Sequence, residues 1–322
     1  MPAMNMVEAL NKAFHEEMKK DKKVVVLGED VGKDGGVFRV TDGLYKKFKD
    51  RVIDTPLAES GIIGSSVGLA LSGLKPVAEI QFMGFLYPGF DQLISHASRY
   101  RNRTRGEYNC QMVVRVPYGG GIRALEHHAE STEAILAHTP GLKVVIPSTP
   151  YDAKGLLISS IRDPDPVIFL EPKKIYRSIK QEVPNKEFTV PLGKAEVRKE
   201  GSDVTIITWG SMTVPSLSAA ARSKDISIEV IDLRTIVPFD IQTIINSVQK
   251  TGRVIIVHEA ARTGGFGAEI VSQINEKALF SLEAPIERVT GFDTVFPLAK
   301  MENYYLPNIK RIEKAVQKVV SY

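Results

Sequence analysis

Cysteine is almost missing from this chain of 322 residues. Cys110 stands alone, which excludes an intrachain disulfide and a cysteine zinc site. A lone cysteine is in keeping with a reducing compartment. Long apolar runs are missing too. The least polar stretch, Gly61 to Leu74, is too short and too rich in Gly and Ser to cross a bilayer. The first 20 residues lack the continuous apolar centre of a signal peptide. The expected location is therefore the cytoplasm, or the mitochondrial matrix in a eukaryote. Charge of one sign is also scarce. Lys and Arg total 42 and Asp and Glu total 38, leaving +4. That is too little to call for nucleic acid or a membrane surface. No HExxH spacing occurs, so a helical two-histidine zinc site is not expected.

What is present is an ordinary globular composition, 43% apolar and 25% charged, long enough for two domains. Short Val/Ile runs alternate with helical patterns. The runs predict strands over 24–27, 77–82, 112–116, 144–146 and 167–170. Helices are expected over 6–19, 61–72, 90–103, 131–138 and 151–162. Strands apolar on both faces and separated by helices indicate an α/β fold with a mainly parallel sheet covered on both sides. From Pro172 to Gly193 the sequence is rich in Pro and charge and lacks a period, so it reads as a linker. Beyond it, strands are expected over 204–208, 228–232, 254–258 and 286–289. Helices are expected over 214–222, 241–249, 268–280 and 309–319. The domains are thus 1–188 and 189–322.

The stretch Thr55–Leu71 holds one acid, Glu59, followed at helical spacing by Gly61, Gly64, Ser65, Gly68 and Ser72. Gly inside a helix costs roughly 1 kcal/mol relative to Ala, and close helix packing is the simplest reason to accept it. Glu59 then has two readings. It is a poorly solvated acid with a tuned proton, or an exposed acid that complements the helix dipole. Glu29 directly follows the first strand, where ligands gather in open parallel sheets, though solvated acids are common there. Gln81, Phe82, Phe85 and Tyr87 end another strand and offer an amide and ring faces for a flat heterocycle, or simply close the core. The pair His127 and His128 precedes a helix and offers proton transfer near neutral pH. Arg99, Arg101, Arg103 and Arg105 read as a solvated helix end rather than a nucleic-acid contact. Gly264–Gly267 reads as a structural turn. Gly64–Gly68 matches G-x-S-x-G, but without the strand that a nucleophile elbow needs.

Together the stretches GEDVGKDGGVFRVTDGL, RVIDTPLAESGIIGSSVGLAL, PVAEIQFMGF, HTPGLKVVIPSTPYDAKGLL, DPVIFLEPKKIYR and EVIDLRTIVPFD resemble one family nearly end to end. It is the beta subunit of the thiamine-diphosphate-dependent 2-oxo acid dehydrogenases, of the pyruvate and branched-chain complexes, with acetoin dehydrogenase as a relative. The resemblance implies a transketolase-like pyrimidine-binding domain followed by a transketolase C-terminal-like domain. Glu59, Gly64, Gly68 and Leu69 fit the family's pyrimidine-side pattern, although Ser65 replaces its usual apolar residue. It implies that Glu59 is catalytic through a pyrimidine nitrogen and that Leu57 gives a backbone contact. Phe85 would stack on the ring, with Gln81 and Glu29 close by. His128 matches the histidine that assists acyl transfer, although Glu130 stands where Gln or Asp is usual. Ser160, Ile161, Asp163 and Asp165 match a segment that binds a monovalent cation such as potassium in some members. No G-D-G followed by Asn is present, so Mg2+ and the diphosphate would be held by an alpha subunit. The implied partners are that subunit, in an α2β2 heterotetramer, the lipoyl-bearing dihydrolipoyl acyltransferase core, and a 2-oxo acid substrate. The rivals are a serine hydrolase using Ser66 with His258 as base, and a non-catalytic assembly subunit.

Overall fold

The computed structural model describes residues 3–322. Its larger sheet has seven strands in the order Thr235–Val237, Lys143–Val145, Val167–Pro172, Val113–Tyr118, Lys75–Glu79, Val24–Gly28 and Val52–Asp54. All pair in parallel except Thr235–Val237, which lies antiparallel on Lys143–Val145. A row of valines crosses the sheet in register: Val26 opposite Val77, Val77 opposite Val113, Val113 opposite Val167. Such β-branched rows suit a sheet buried on both faces. The smaller sheet has the order Glu287–Val289, Val254–Val257, Val204–Thr208, Ile228–Asp232 and Glu196–Lys199, with only the last strand antiparallel.

One face of the larger sheet is covered by the helices Met6–Lys20 and Pro150–Arg162. The first opens with a capping box between Asn5 and Glu8. Its Glu17 pairs with Arg162, and Leu10, Phe14 and Met18 are fully buried under the same cluster as Leu156 and Leu157. The other face carries the helix Glu59–Leu71 and the turns from Met83 to Arg103. The core there runs on into the second domain, where Trp209, Ile236 and Phe266 join Ile62, Leu86 and Val116. Two domains thus share one buried face. Thr235–Val237, though in the second half of the chain, completes the sheet of the first. Among the described residues no helix is long and apolar enough to cross a membrane.

Five segments depart from expectation. The predicted helix over 90–103 is a chain of short π, 3₁₀ and α turns. The three-residue strands Val52–Asp54 and Thr235–Val237 and the edge strand Glu196–Lys199 were not expected. The stretch after Pro172 is no loose tether. Val183 and Val190 are buried, Val190 N donates to Gly155 O at 3.2 Å, and Phe188 stacks on Tyr151 at 4.4 Å.

Candidate active site

In a parallel sheet the carboxyl ends of the strands share one edge, and loops there can converge on a ligand. Glu29 follows Val24–Gly28 at that edge. Gln81 follows Lys75–Glu79, and its Nε2 donates to Asp30 Oδ2 at 3.1 Å. The short strand Val52–Asp54 delivers the chain to the helix that starts at Glu59. No side chain caps that helix at Ala58, so its first amides are free of a local partner there. Glu59 is half-buried in the first turn. It lies near enough to Glu29 to act on it. Burial first, then the Glu59 and Asp30 carboxylates, hold the Glu29 carboxyl above its usual range. Leu57 is 79% exposed, so this side of the site is open.

The aromatic groups begin at Phe82, next to Gln81. Phe82 and Phe85 meet edge to face at 5.6 Å, and the His128 ring packs on both, at 4.3 Å and 5.1 Å. Burial lowers the His128 pKa, helped by Lys173 and His127 and opposed by Glu126. The imidazole is therefore neutral near pH 7, and its Nδ1 is buried without a hydrogen-bond partner. His127 is exposed and turns its ring toward Tyr87 and Phe85. Its backbone presses on Gly84, where a Cβ would lie 2.3 Å from the His127 carbonyl oxygen. Only Gly allows that approach. The structure thus sets Glu29 beside Glu59 and Asp30, ties Gln81 to Asp30, and packs Phe85 on His128, with Leu57 exposed.

Residues 2–178 match the transketolase pyrimidine-binding domain, and residues 193–312 match the transketolase C-terminal domain. Pyruvate dehydrogenase E1 component subunit beta of Acholeplasma laidlawii is 53% identical, over 99% of this chain and 98% of the relative. The protein of the same name from Bacillus subtilis (strain 168) is 53% identical over 100% of both. The chain belongs to the family of 2-oxo acid dehydrogenase beta subunits. A solved split-gene transketolase, described as an inactive beta4 tetramer, superposes with a TM-score of 0.82. It covers 99% of each chain at 24% identity, a likeness of fold alone.

Against this family the serine-hydrolase rival fails on geometry. Ser66 lies inside the helix Glu59–Leu71, fully buried, and its hydroxyl donates to Ile62 O at 2.8 Å. His258 is also fully buried, and burial takes its pKa down to about 3. The close-packing reason given for the helix glycines holds only in part. A Cβ at Gly64 would touch Gln92, whereas one at Gly68 would meet nothing within 4 Å.

Ser160, Ile161, Asp163 and Asp165 do not join the site of this beta subunit. They precede the strand Val167–Pro172 and so lie at the opposite edge of the sheet. Ser160 O accepts from Asp163 N at 3.3 Å, and Ile161 O accepts from Gln111 Nε2 at 2.9 Å. Lys143 Nζ lies 2.7 Å from Asp163, and Arg101 Nε lies 2.6 Å from Asp165. These partners come from the chain itself, and no role is derived for a cation there.

Sequence reading missed Phe82 as a direct neighbour of His128, and it missed Lys173. The first was within the aromatic cluster already noted. The second carried no signal, because a lysine in a charged stretch reads as solvated.

Proposed function

We propose that this beta subunit, with an alpha subunit in an α2β2 heterotetramer, decarboxylates a 2-oxo acid using thiamine diphosphate and passes the acyl group to lipoamide. The observation that supports it is the convergence of Glu29, Glu59, Phe85 and His128 at one edge of the sheet, left open at Leu57. Relatives named for pyruvate dehydrogenase favour pyruvate as the substrate. Branched-chain 2-oxo acids and acetoin are the comparisons.

These residues fit the pyrimidine half of the cofactor. The rings of Phe82 and Phe85 offer apolar faces, the Glu59 carboxyl is half-buried, and among the described residues the buried His128 Nδ1 lacks a partner. Glu59 would hold a pyrimidine nitrogen, the Leu57 main chain an amino group, and Phe85 the ring, with Gln81 and Glu29 beside them. When bound, the cofactor supplies an acidic carbon that becomes the nucleophile toward the 2-oxo carbonyl. Glu59 holds and moves the proton at its carboxyl oxygen. Burial, with the Glu59 and Asp30 carboxylates, raises the Glu29 pKa above that of a free carboxyl. His128 stays neutral and offers a ring nitrogen to the lipoyl arm of the acyltransferase core. The diphosphate and Mg2+ fall to the alpha subunit, since this chain has no G-D-G followed by Asn.

The test is co-production with an alpha subunit that carries that motif. Turnover of pyruvate, branched-chain 2-oxo acids and acetoin is then compared, with a dye acceptor and with lipoyl domains. An assembly that binds thiamine diphosphate but turns over none of them would sink the reading. If Glu59→Gln left turnover intact, the chain would be an assembly subunit rather than half of a catalytic site.

A further inference from the structure

The loop that carries His128 belongs to the first domain by sequence and rests on the second by contact. It opens with three glycines, Gly119, Gly120 and Gly121. Such a run ordinarily makes a loose loop. Here it lets the backbone lie against side chains from beyond residue 193. Gly119 has φ +74°, and a Cβ there would lie 2.6 Å from the Glu259 carboxylate. A Cβ at Gly120 would lie 2.7 Å from Phe296 Cζ and 3.2 Å from Leu306 Cδ1.

Hydrogen bonds fix the same approach. Glu259 Oε2 accepts from Gly120 N at 2.9 Å, and its Oε1 accepts from Ser211 Oγ at 2.6 Å. The carboxylate is thus held by its own domain while it holds the loop. Further along, Glu302 Oε2 accepts from Arg123 N at 3.1 Å. Arg123 has φ +57°, a left-handed conformation that crowds its Cβ. Such a residue persists where its surroundings over-determine it, and the Glu302 carboxylate is the group that meets its amide. Both acids are only 3% exposed, and a bond from an amide to a carboxylate is among the stronger kinds. The returning limb of the loop is seated as well. Ala129, next to His128, packs in one buried cluster with Phe296, Tyr305 and Leu306. Phe296 and Tyr305 meet at 4.8 Å, and Arg311 Nη1 donates to Tyr305 O at 3.0 Å. At its base the loop closes on itself, where Gly119 N donates to Glu130 O at 2.9 Å.

We propose that Glu259 and Glu302 are positioning residues: through the amides of Gly120 and Arg123, and with Phe296, Tyr305 and Leu306 behind Ala129, the second domain sets where His128 stands against Phe82 and Phe85. The catalytic consequence rests on the reading of His128 given above; the seating of the loop does not. The second domain supplies none of the candidate site residues, yet it fixes the place of one of them.

Amide hydrogen exchange on the full chain tests the seat and needs no partner and no activity. In Glu302→Ala the amides of 119–129 should exchange about tenfold faster, the loss expected for one hydrogen bond to a charged group. The strand amides of 113–116 and 254–257 should keep their rates. Glu302→Gln retains an acceptor and should restore slow exchange. Phe296→Ala opens the apolar part of the seat and should speed the same segment; it serves if Glu302→Ala does not fold. Unchanged loop exchange in the folded variants overturns the proposal. So does a rise spread evenly over both sheets, which would make Glu302 a prop of the whole fold. The place of His128 is read from its rate of carbethoxylation, followed by peptide mass spectrometry. That rate should rise severalfold in Glu302→Ala and return in Glu302→Gln; a fixed rate also overturns the proposal. In the assembly with the alpha subunit, transfer to lipoyl domains should then fall while dye-coupled decarboxylation is spared. A loosened loop with undiminished transfer would uphold the seat and instead remove the catalytic role given to His128.

Discussion

Two sets of buried charge differ in how completely they are paired. Inside the first domain, Arg115 places Nε and Nη2 on Glu171, at 2.6 Å and 2.8 Å, and Nη1 on Glu79. The Tyr176 hydroxyl completes Glu171, and the guanidinium lies over the Phe14 ring. Every charged group there has its partner. At the site edge and the adjoining domain interface the accounts are left open. Among the described residues, Lys173 Nζ, the Tyr118 hydroxyl, Glu133 Oε2, His128 Nδ1 and both His258 nitrogens have no hydrogen-bond partner. Full pairing fixes a fold and leaves no group free to act. Incomplete pairing leaves groups whose protonation can change, and it occurs beside the residues that would meet substrate. The comparison predicts two kinds of variant. Changes in the paired set should move stability and spare the chemistry, whereas changes in the open set should move what depends on protonation: acyl transfer at His128, and the pH dependence of stability at the buried His258.

The largest effect on stability is expected from Arg115→Met. It strands two buried carboxylates and should cost about 3–5 kcal/mol, read from denaturant unfolding, while the residual folded fraction keeps its activity per molecule. A loss under about 1 kcal/mol would mean that the paired set is not structural. Glu59→Gln should leave the unfolding midpoint unchanged and lower decarboxylation by about 10²–10⁴-fold, measured with a dye acceptor in the assembled enzyme. His128→Ala should reduce acyl transfer to lipoyl domains by about 10²-fold, with dye-coupled decarboxylation less affected and His127→Ala mild. Damage from His127→Ala alone would reverse the assignment of the two histidines.

The smallest effect concerns pH. His258 has a folded pKa near 3 against an ordinary 6.5. Below pH 6.5 the unfolded chain binds a proton there that the folded one refuses. Its contribution to stability is thus fully present above 6.5 and is lost as pH falls toward 3. Between pH 7 and pH 5 this amounts to about 2 kcal/mol. His258→Phe keeps a ring against Trp209, which stacks on His258 at 5.1 Å, and should flatten that part of the stability curve. An unaltered slope would show that other groups carry it.

The sheets were legible in the sequence because their central strands are continuous runs such as Val24–Gly28 and Val167–Pro172, apolar on both faces. The edge strands were not. Val52–Asp54 and Thr235–Val237 are three residues each, too short for any period. The pairing of Thr235–Val237 is also set by a surface formed some ninety positions earlier. The expected helix over 90–103 fails for a local reason. It follows a 3₁₀ segment containing Pro88 and tightens and widens in turn. For the candidate site, motif order and residue chemistry singled out Glu59, Phe85 and His128, of which the last two pack on one another. Glu259 and Glu302, which accept from Gly120 N and Arg123 N in the loop before His128, were not legible. Their meaning lies in a contact between a loop of one domain and carboxylates of the other, and no local pattern encodes that.

The strand Thr235–Val237 has a consequence for synthesis. The first domain emerges from the ribosome with the edge of Lys143–Val145 bare, because the strand that covers it follows about ninety residues later. At 5–20 residues per second that interval is on the order of ten seconds. During it, Val144 and Val145, both fully buried in the finished protein, border an unpaired edge of the kind that recruits foreign strands. Nascent chains shorter than residue 237 should therefore be held by chaperones or aggregate, and release should coincide with the emergence of that one short strand.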